Sequence, residues 1–400
     1  MGLTKLNPVE KVINEIYPYF SSITVTTVRF NEATSRYSAQ RVVAVEDNPP
    51  VPKSVLDGFA VNSEDVFGAS EYSPIELEIG KEWKPGVAVY VNTGDPLPQG
   101  TDTVIPIEAV KVVGNKVLVF KQYPPGNAVA KIGEDLRKGE TIIDKGVLIR
   151  PWHVAALASQ GIIEVDVIDP KIAVAATGDE IVEPWEGNGV RNSTAWLVAS
   201  FFRERIGSVP SYHGILRDDE EAIKNFVEVA LDKYDIVITT GGSSVGKRDI
   251  SVKVMEKLAD KWIHGVALTP GRPLGIGVRD GKLMVSLSGY PVAALSQLEV
   301  VVWPIIKKAH ELKEPPRPKV RAKLKRRLPV TPNMLHLYRV VVCSREGELW
   351  VEPLRLTGSG ILSSLIKSNG IVVAGVRGET GYDAGDEIEV ELIGDIVPCK

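Results

Sequence analysis

The chain has 400 residues, too many for one ordinary core and enough for two to four domains. Its composition, 44% hydrophobic and 24% charged, is that of a globular protein. A net charge of −4, from 47 basic and 51 acidic residues, gives no global attraction to nucleic acid or to an anionic membrane. An anionic ligand must therefore be held by local groups.

The N-terminal stretch MGLTKLNPVEKVINEIYPYF carries charges throughout and has no apolar signal-peptide core. No apolar run reaches bilayer-spanning length, so a cytoplasmic protein is expected. Asn7 or Pro8 opens a short helix to about Phe20, with Val12, Ile13, Ile16 and Tyr17 on one stripe. A second helix and a connecting strand are expected through Val45. From Asp47 the chain turns proline-rich, then alternates in short segments such as PIELEI, VAVYVNTG and DTVIPIE. These predict a small β domain over roughly 46–140. PWHVAALASQG predicts a helix stopped by Gly161.

Over 171–310 the rhythm becomes strand, helix, strand, helix. KIAVAAT, SVPSYHGIL, DIVITT and KLMVSLSG read as strands, each followed by a helical segment. That order predicts a doubly wound, parallel α/β domain. After PPRPK the chain returns to short β segments, a second β module of barrel type. Its basic run KVRAKLKRR alternates with apolar residues and reads as a strand with one wet face rather than a nucleic-acid patch. Cys343 and Cys399 have neither CxxC nor zinc spacing, and read as one strand cysteine and one tail cysteine without a disulfide. The five histidines are scattered and read as structural.

Ligands of such sheets sit beyond the carboxyl ends of the strands, at a switch in strand order. Two loops fit that place, ATGDEIVEP and TTGGSSVGKRD. In the second, Gly241-x-x-x-x-Gly246-Lys247 nearly matches a P-loop, but Arg248 stands where a hydroxyl ligand for magnesium belongs. Gly241, Gly242, Ser243 and Ser244 can still converge backbone N–H groups on a phosphate. Carboxylates recur in loops: Asp57, Asp135, Asp179, Glu180, Asp218 and Asp249. Asp218 has a competing reading as a helix N-cap. Carboxylates beside a phosphate site imply magnesium, which takes one or two of them plus water and phosphate oxygens. TPGRPLGIG adds Arg272 in a rigid Pro270-Gly271-Arg272-Pro273 frame suited to an oxyanion.

Taken in order, SVLDGFAV, NTGDPLPQGTDTVIPIE, GEDLRKGE, ATGDEIVEP, VITTGGSSVGKRD, TPGRPLGIG and SLSGYPVAAL resemble the molybdopterin molybdenumtransferase family, of which the gephyrin E-domain is the animal relative. The resemblance covers nearly the whole chain. It implies an elongated dimerisation domain (1–45 with 141–170), a β domain (46–140), a molybdopterin-binding α/β domain (171–315) and a C-terminal β module (316–400). It implies a homodimer with its active site between subunits, and insertion of molybdate or tungstate into adenylylated molybdopterin, with magnesium-dependent release of AMP. Asp57, Thr93, Asp135, Glu180 and Asp249 then match the catalytic positions, with Glu180 and Asp249 as magnesium ligands. Gly241, Gly242, Ser243, Ser244, Asp218, Pro270, Gly271, Arg272 and Pro273 match the substrate-binding ones. Phe59 replaces the family's tyrosine after DG. Thr269 and Arg272 replace the lysines of its K-P-G-K-P loop, and SGYPV stands for PGNPV. The implied partners are the molybdopterin adenylyltransferase and cofactor-accepting apoenzymes. Two alternatives remain: adenylyl transfer to molybdopterin, because that enzyme has a similar α/β domain, and a gephyrin-like receptor scaffold. The β domain bearing Asp57 and Thr93 favours molybdate insertion over the first. Scaffolds of the second kind carry a further N-terminal domain and linker, whereas this chain starts at the helix before the β domain.

Overall fold

A computed structural model of the chain describes residues 6–241, 250–354, 360–375 and 380–399. Two compact units divide it, residues 1–40, 145–150 and 164–400 in one and 41–144 with 151–163 in the other.

The smaller unit is built on a six-stranded sheet in the order Thr103–Pro106, Gly58–Val61, Val87–Val91, Ile75–Gly80, Lys116–Val119, Val110–Val113. Alternation along these strands buries Phe59, Val61, Leu77, Ala88, Ile105, Val117 and Val119 in one core. Gly58 is required at the start of its strand, because a Cβ there would lie 2.1 Å from the Ile105 carbonyl oxygen. PWHVAALAS forms the expected helix, Pro151–Ser159.

In the larger unit, the first helix runs Val9–Ile16 and tightens into a 3₁₀ turn at Tyr17–Tyr19. The expected second helix is absent. Residues 25–29, VTTVR, are β-branched and alternate in burial, so they form a strand that pairs antiparallel with Glu164–Ile168. The main sheet has the order Ser211–Leu216, Ile172–Thr177, Ile236–Thr240, Lys282–Leu287, Gly275–Arg279, Lys261–His264. Its first four strands are parallel, as alternation with helices predicts. The last two run antiparallel and extend it. Helices Thr194–Ile206 and Glu220–Lys233 supply Val198, Phe202, Ile223 and Val227 to the layers covering the parallel strands.

Lys319–Leu324, Glu348–Pro353, Leu335–Arg345, Gly370–Ala374 and Glu387–Leu392 close on one another as a five-stranded barrel. The basic strand behaves as its alternation suggests. Ala322 and Leu324 face the core, while Lys319 pairs with Glu389 at 2.7 Å and Lys323 with Glu348 at 2.6 Å. The cysteines differ from expectation. Strand Val397–Pro398 lies parallel to Cys343–Ser344, which brings the two Cα atoms to 4.8 Å, and Cys343 and Cys399 form a disulfide. Their separation of 56 residues carries no sign of this; the folding of the tail onto the barrel creates it. Among the described residues no helix is long and apolar enough to cross a membrane.

Candidate active site

The chain leaves strand Ile172–Thr177 toward Ser211–Leu216 on one side and returns to Ile236–Thr240 on the other. This switch in strand order opens a crevice at the carboxyl ends of the central pair. A cavity of about 540 Å³ lies there, bordered by Thr177, Glu180, Asn192, Asp218, Gly241 and Tyr290. Glu180, Asp218, Gly241 and Pro273, expected from separate motifs, thus share one cavity.

Each arrives by a local necessity. Gly241 has φ +96°, and a Cβ on it would stand 2.3 Å from the Thr177 carbonyl oxygen, so the crossing of these two loops admits only glycine. Gly242, Ser243, Ser244 and Asp249 lie outside the described residues. The N-cap reading of Asp218 is corrected: Asp219 caps helix Glu220–Lys233, its Oδ1 accepting from the Ala222 N–H at 2.8 Å. Asp218 stands instead on the rim, its N–H donating to Asp179 Oδ1 at 3.3 Å. It also borders an adjoining acidic cavity of about 740 Å³, with Asp179, Glu183, Glu186 and Asp219. The Glu180 carboxylate has no hydrogen-bond or ion-pair partner among the described residues.

Several residues of the cavity carried no motif. Asn192 accepts from the Ala195 N–H at 3.1 Å and donates to the Tyr212 hydroxyl at 2.8 Å. Tyr212 in turn donates to Glu183 at 2.5 Å. Burial, and then this bond to Glu183, push the Tyr212 phenol up. Thr194 donates to the Gly289 carbonyl at 2.6 Å and ties helix Thr194–Ile206 to the SGYP loop. Gly360 and Leu362 bring the C-terminal module to the same cavity. The polar run NST before a helical segment was the only signal for any of these.

The TPGRP loop begins on Leu268–Thr269, which pairs parallel with Leu335–His336 of the barrel. The Thr269–Pro270 bond is cis. Gly271 is buried and Arg272 exposed, its guanidinium without a side-chain partner among the described residues. Burial, together with the Arg272 charge, holds the His336 imidazole below its ordinary range. His310 is pushed down to about 4 by burial, in keeping with a structural role for both histidines.

Within the smaller unit, Asp57 Oδ1 accepts the Thr93 N–H at 2.7 Å and the Thr93 hydroxyl at 2.9 Å. These two bonds hold the exposed Asp57 carboxyl below the usual carboxylate range. Asp135 Oδ2 accepts from Asn48 at 2.8 Å, and the Asp135 N–H donates to the Asn48 carbonyl at 3.0 Å.

A crevice at a strand-order switch, with a carboxylate on its rim and a cation-bearing loop beside it, is the ligand-binding place of a doubly wound α/β protein. Three family models match in sequence: "MoeA N-terminal region (domain I and II)" over residues 7–161, "Probable molybdopterin binding domain" over 173–308 and "MoeA C-terminal region (domain IV)" over 321–393. A Methanocaldococcus jannaschii protein named for molybdopterin biosynthesis is 34% identical, across 98% of each chain. The molybdopterin molybdenumtransferase of Bacillus subtilis is 30% identical over 96% of this chain and 94% of its own. The solved structure of the MoeA protein of Pyrococcus horikoshii superposes with a TM-score of 0.81 at 30% identity, over 97% of this chain and 100% of that one. The chain belongs to the MoeA family of molybdopterin molybdenumtransferases.

Proposed function

We propose that this chain is a molybdopterin molybdenumtransferase that inserts molybdate or tungstate into adenylylated molybdopterin and releases AMP. The observation that carries this is the convergence of Glu180, Asp218, Gly241 and Pro273 on one switch-point cavity, in a chain alike to that family along its full length.

Gly241 and the loop it opens, with Asp218, hold the nucleotide and pyrophosphate side of the ligand. Arg272, in its proline frame, holds the oxyanion as a fixed cation. Magnesium fits this donor set. Glu180 offers a carboxylate without a partner among the described residues, and magnesium takes one or two carboxylates plus water and phosphate oxygens. When bound, it would neutralise charge on the pyrophosphate as the link to AMP breaks. Glu180 and Asp249 would hold it, and Asp57, Thr93 and Asp135 serve the same reaction by their match to the family positions. The four-part domain division, a homodimer in the cytoplasm, and the adenylyltransferase and cofactor-accepting apoenzymes as partners complete the proposal.

Two substrate pairs test it. Molybdopterin with ATP should give no adenylylated product. Adenylylated molybdopterin with magnesium and molybdate should release AMP. Activity with the first pair alone would favour adenylyl transfer.

A further inference from the structure

Three segments distant in sequence meet at the cavity: Gly241 after strand Ile236–Thr240, Ser288 after strand Lys282–Leu287, and Pro273 in the TPGRP loop. One side chain joins them from behind. Gln297, the last residue of helix Pro291–Gln297, is 0% exposed. Its Oε1 accepts the Ser288 N–H at 2.9 Å, and its Nε2 donates to the Gly271 carbonyl at 2.9 Å. On the other side of the Leu287–Ser288 peptide, the Leu287 carbonyl accepts the Gly241 N–H at 3.1 Å.

These bonds form one directed chain, from Gly241 through the Leu287–Ser288 peptide and the Gln297 amide to Gly271. Every donor points the same way, so each bond polarises the next. The Gly271–Arg272 peptide is trans, and its N–H therefore points opposite its carbonyl, away from Gln297. Gln297 thus fixes which way that peptide faces and how far Arg272 stands from the Ser288 loop. A leucine or methionine would fill the same core volume without desolvating an amide, so packing alone does not explain a glutamine.

We propose that Gln297 is a positioning residue that aims the Arg272 loop at the oxyanion, an inference that rests on the molybdenumtransferase reading. AMP release is measured at varied molybdate and saturating adenylylated molybdopterin for wild type, Gln297→Met and Gln297→Glu. Gln297→Met keeps the volume and removes both bonds, and should raise KM for molybdate about tenfold, the scale of one net hydrogen bond. Its kcat and its KM for adenylylated molybdopterin should stay within about twofold. Gln297→Glu should show the same defect at pH 8. It should recover as the pH falls, because a protonated carboxyl can both accept from Ser288 and donate to Gly271.

An unchanged molybdate KM in both variants, or equal losses in every constant, would overturn the proposal. If wild type released no AMP, the functional reading would fail first. Tungstate binding by calorimetry would then decide this inference: about tenfold weaker binding to Gln297→Met than to wild type upholds it. Equal binding, or none to either protein, overturns it.

Discussion

Two cavities of comparable size lie in the larger unit, about 540 Å³ at the switch point and about 410 Å³ against the barrel, and their charges are paired differently. In the second, Arg205 lies 2.5 Å from both Glu299 and Glu314, Arg317 bonds Glu299 at 2.8 Å, and Lys307 and Trp303 each bond Glu314 at 2.9 Å. Burial still holds Glu299 above the usual carboxylate range. Glu314, penalised by burial as well, is brought below it by the bonds from Lys307 and Trp303. Each of these charges is answered by another. At the switch point Glu180 and Arg272 have no such side-chain partners among the described residues. Volume alone does not separate the two cavities; the pairing of their charges does.

Substitutions should separate the two regions. The largest effect is expected from Arg205→Met, which leaves two glutamates facing each other in a half-dry site. It should cost about 3–5 kcal/mol of stability by denaturant titration, while turnover per folded molecule stays within about twofold. Glu180→Gln should do the reverse, lowering AMP release about a hundredfold, or about 2.7 kcal/mol, with the denaturation midpoint unmoved. Cys399→Ser, which frees the tail strand from the barrel, should cost about 2 kcal/mol without altering turnover. Adding a reductant to wild type should reproduce that loss.

The smallest effect concerns pH. The folded Asp57 carboxyl titrates below its unfolded value, so its charged form, and what depends on it, is present at neutral pH and lost only as pH falls through the lowered folded value. Thr93→Ala removes the hydroxyl donor but keeps the N–H, so it should move that titration only part of the way back toward the ordinary carboxylate range, read by NMR of the Asp57 carboxyl. Any activity that needs Asp57 ionised would then fail at a higher pH than in wild type.

Much of this candidate site is legible in the sequence, because strand–loop–helix order alone puts TGDE and the glycine loop at the same end of a parallel sheet. What escaped came from elements that meet only in space. The antiparallel edge strands Gly275–Arg279 and Lys261–His264 were not among the expected strands. Gly275 and Gly277 sit in a strand because the Trp262 side chain packs where their side chains would be, within 2.4 Å and 2.6 Å of an added Cβ. Leu362 and Gln297 belong to segments whose own patterns say only loop or core. The disulfide required knowing that a two-residue tail strand folds back beside Cys343.

The most direct test is single-turnover AMP release from adenylylated molybdopterin with magnesium and molybdate, run side by side on wild type, Glu180→Gln and Arg205→Met. AMP release by wild type and by folded Arg205→Met, with about a hundredfold loss in Glu180→Gln, is the predicted result. Release by Glu180→Gln at the wild-type rate, or none by wild type with either molybdate or tungstate, would contradict the assignment of the switch-point cavity as the active site.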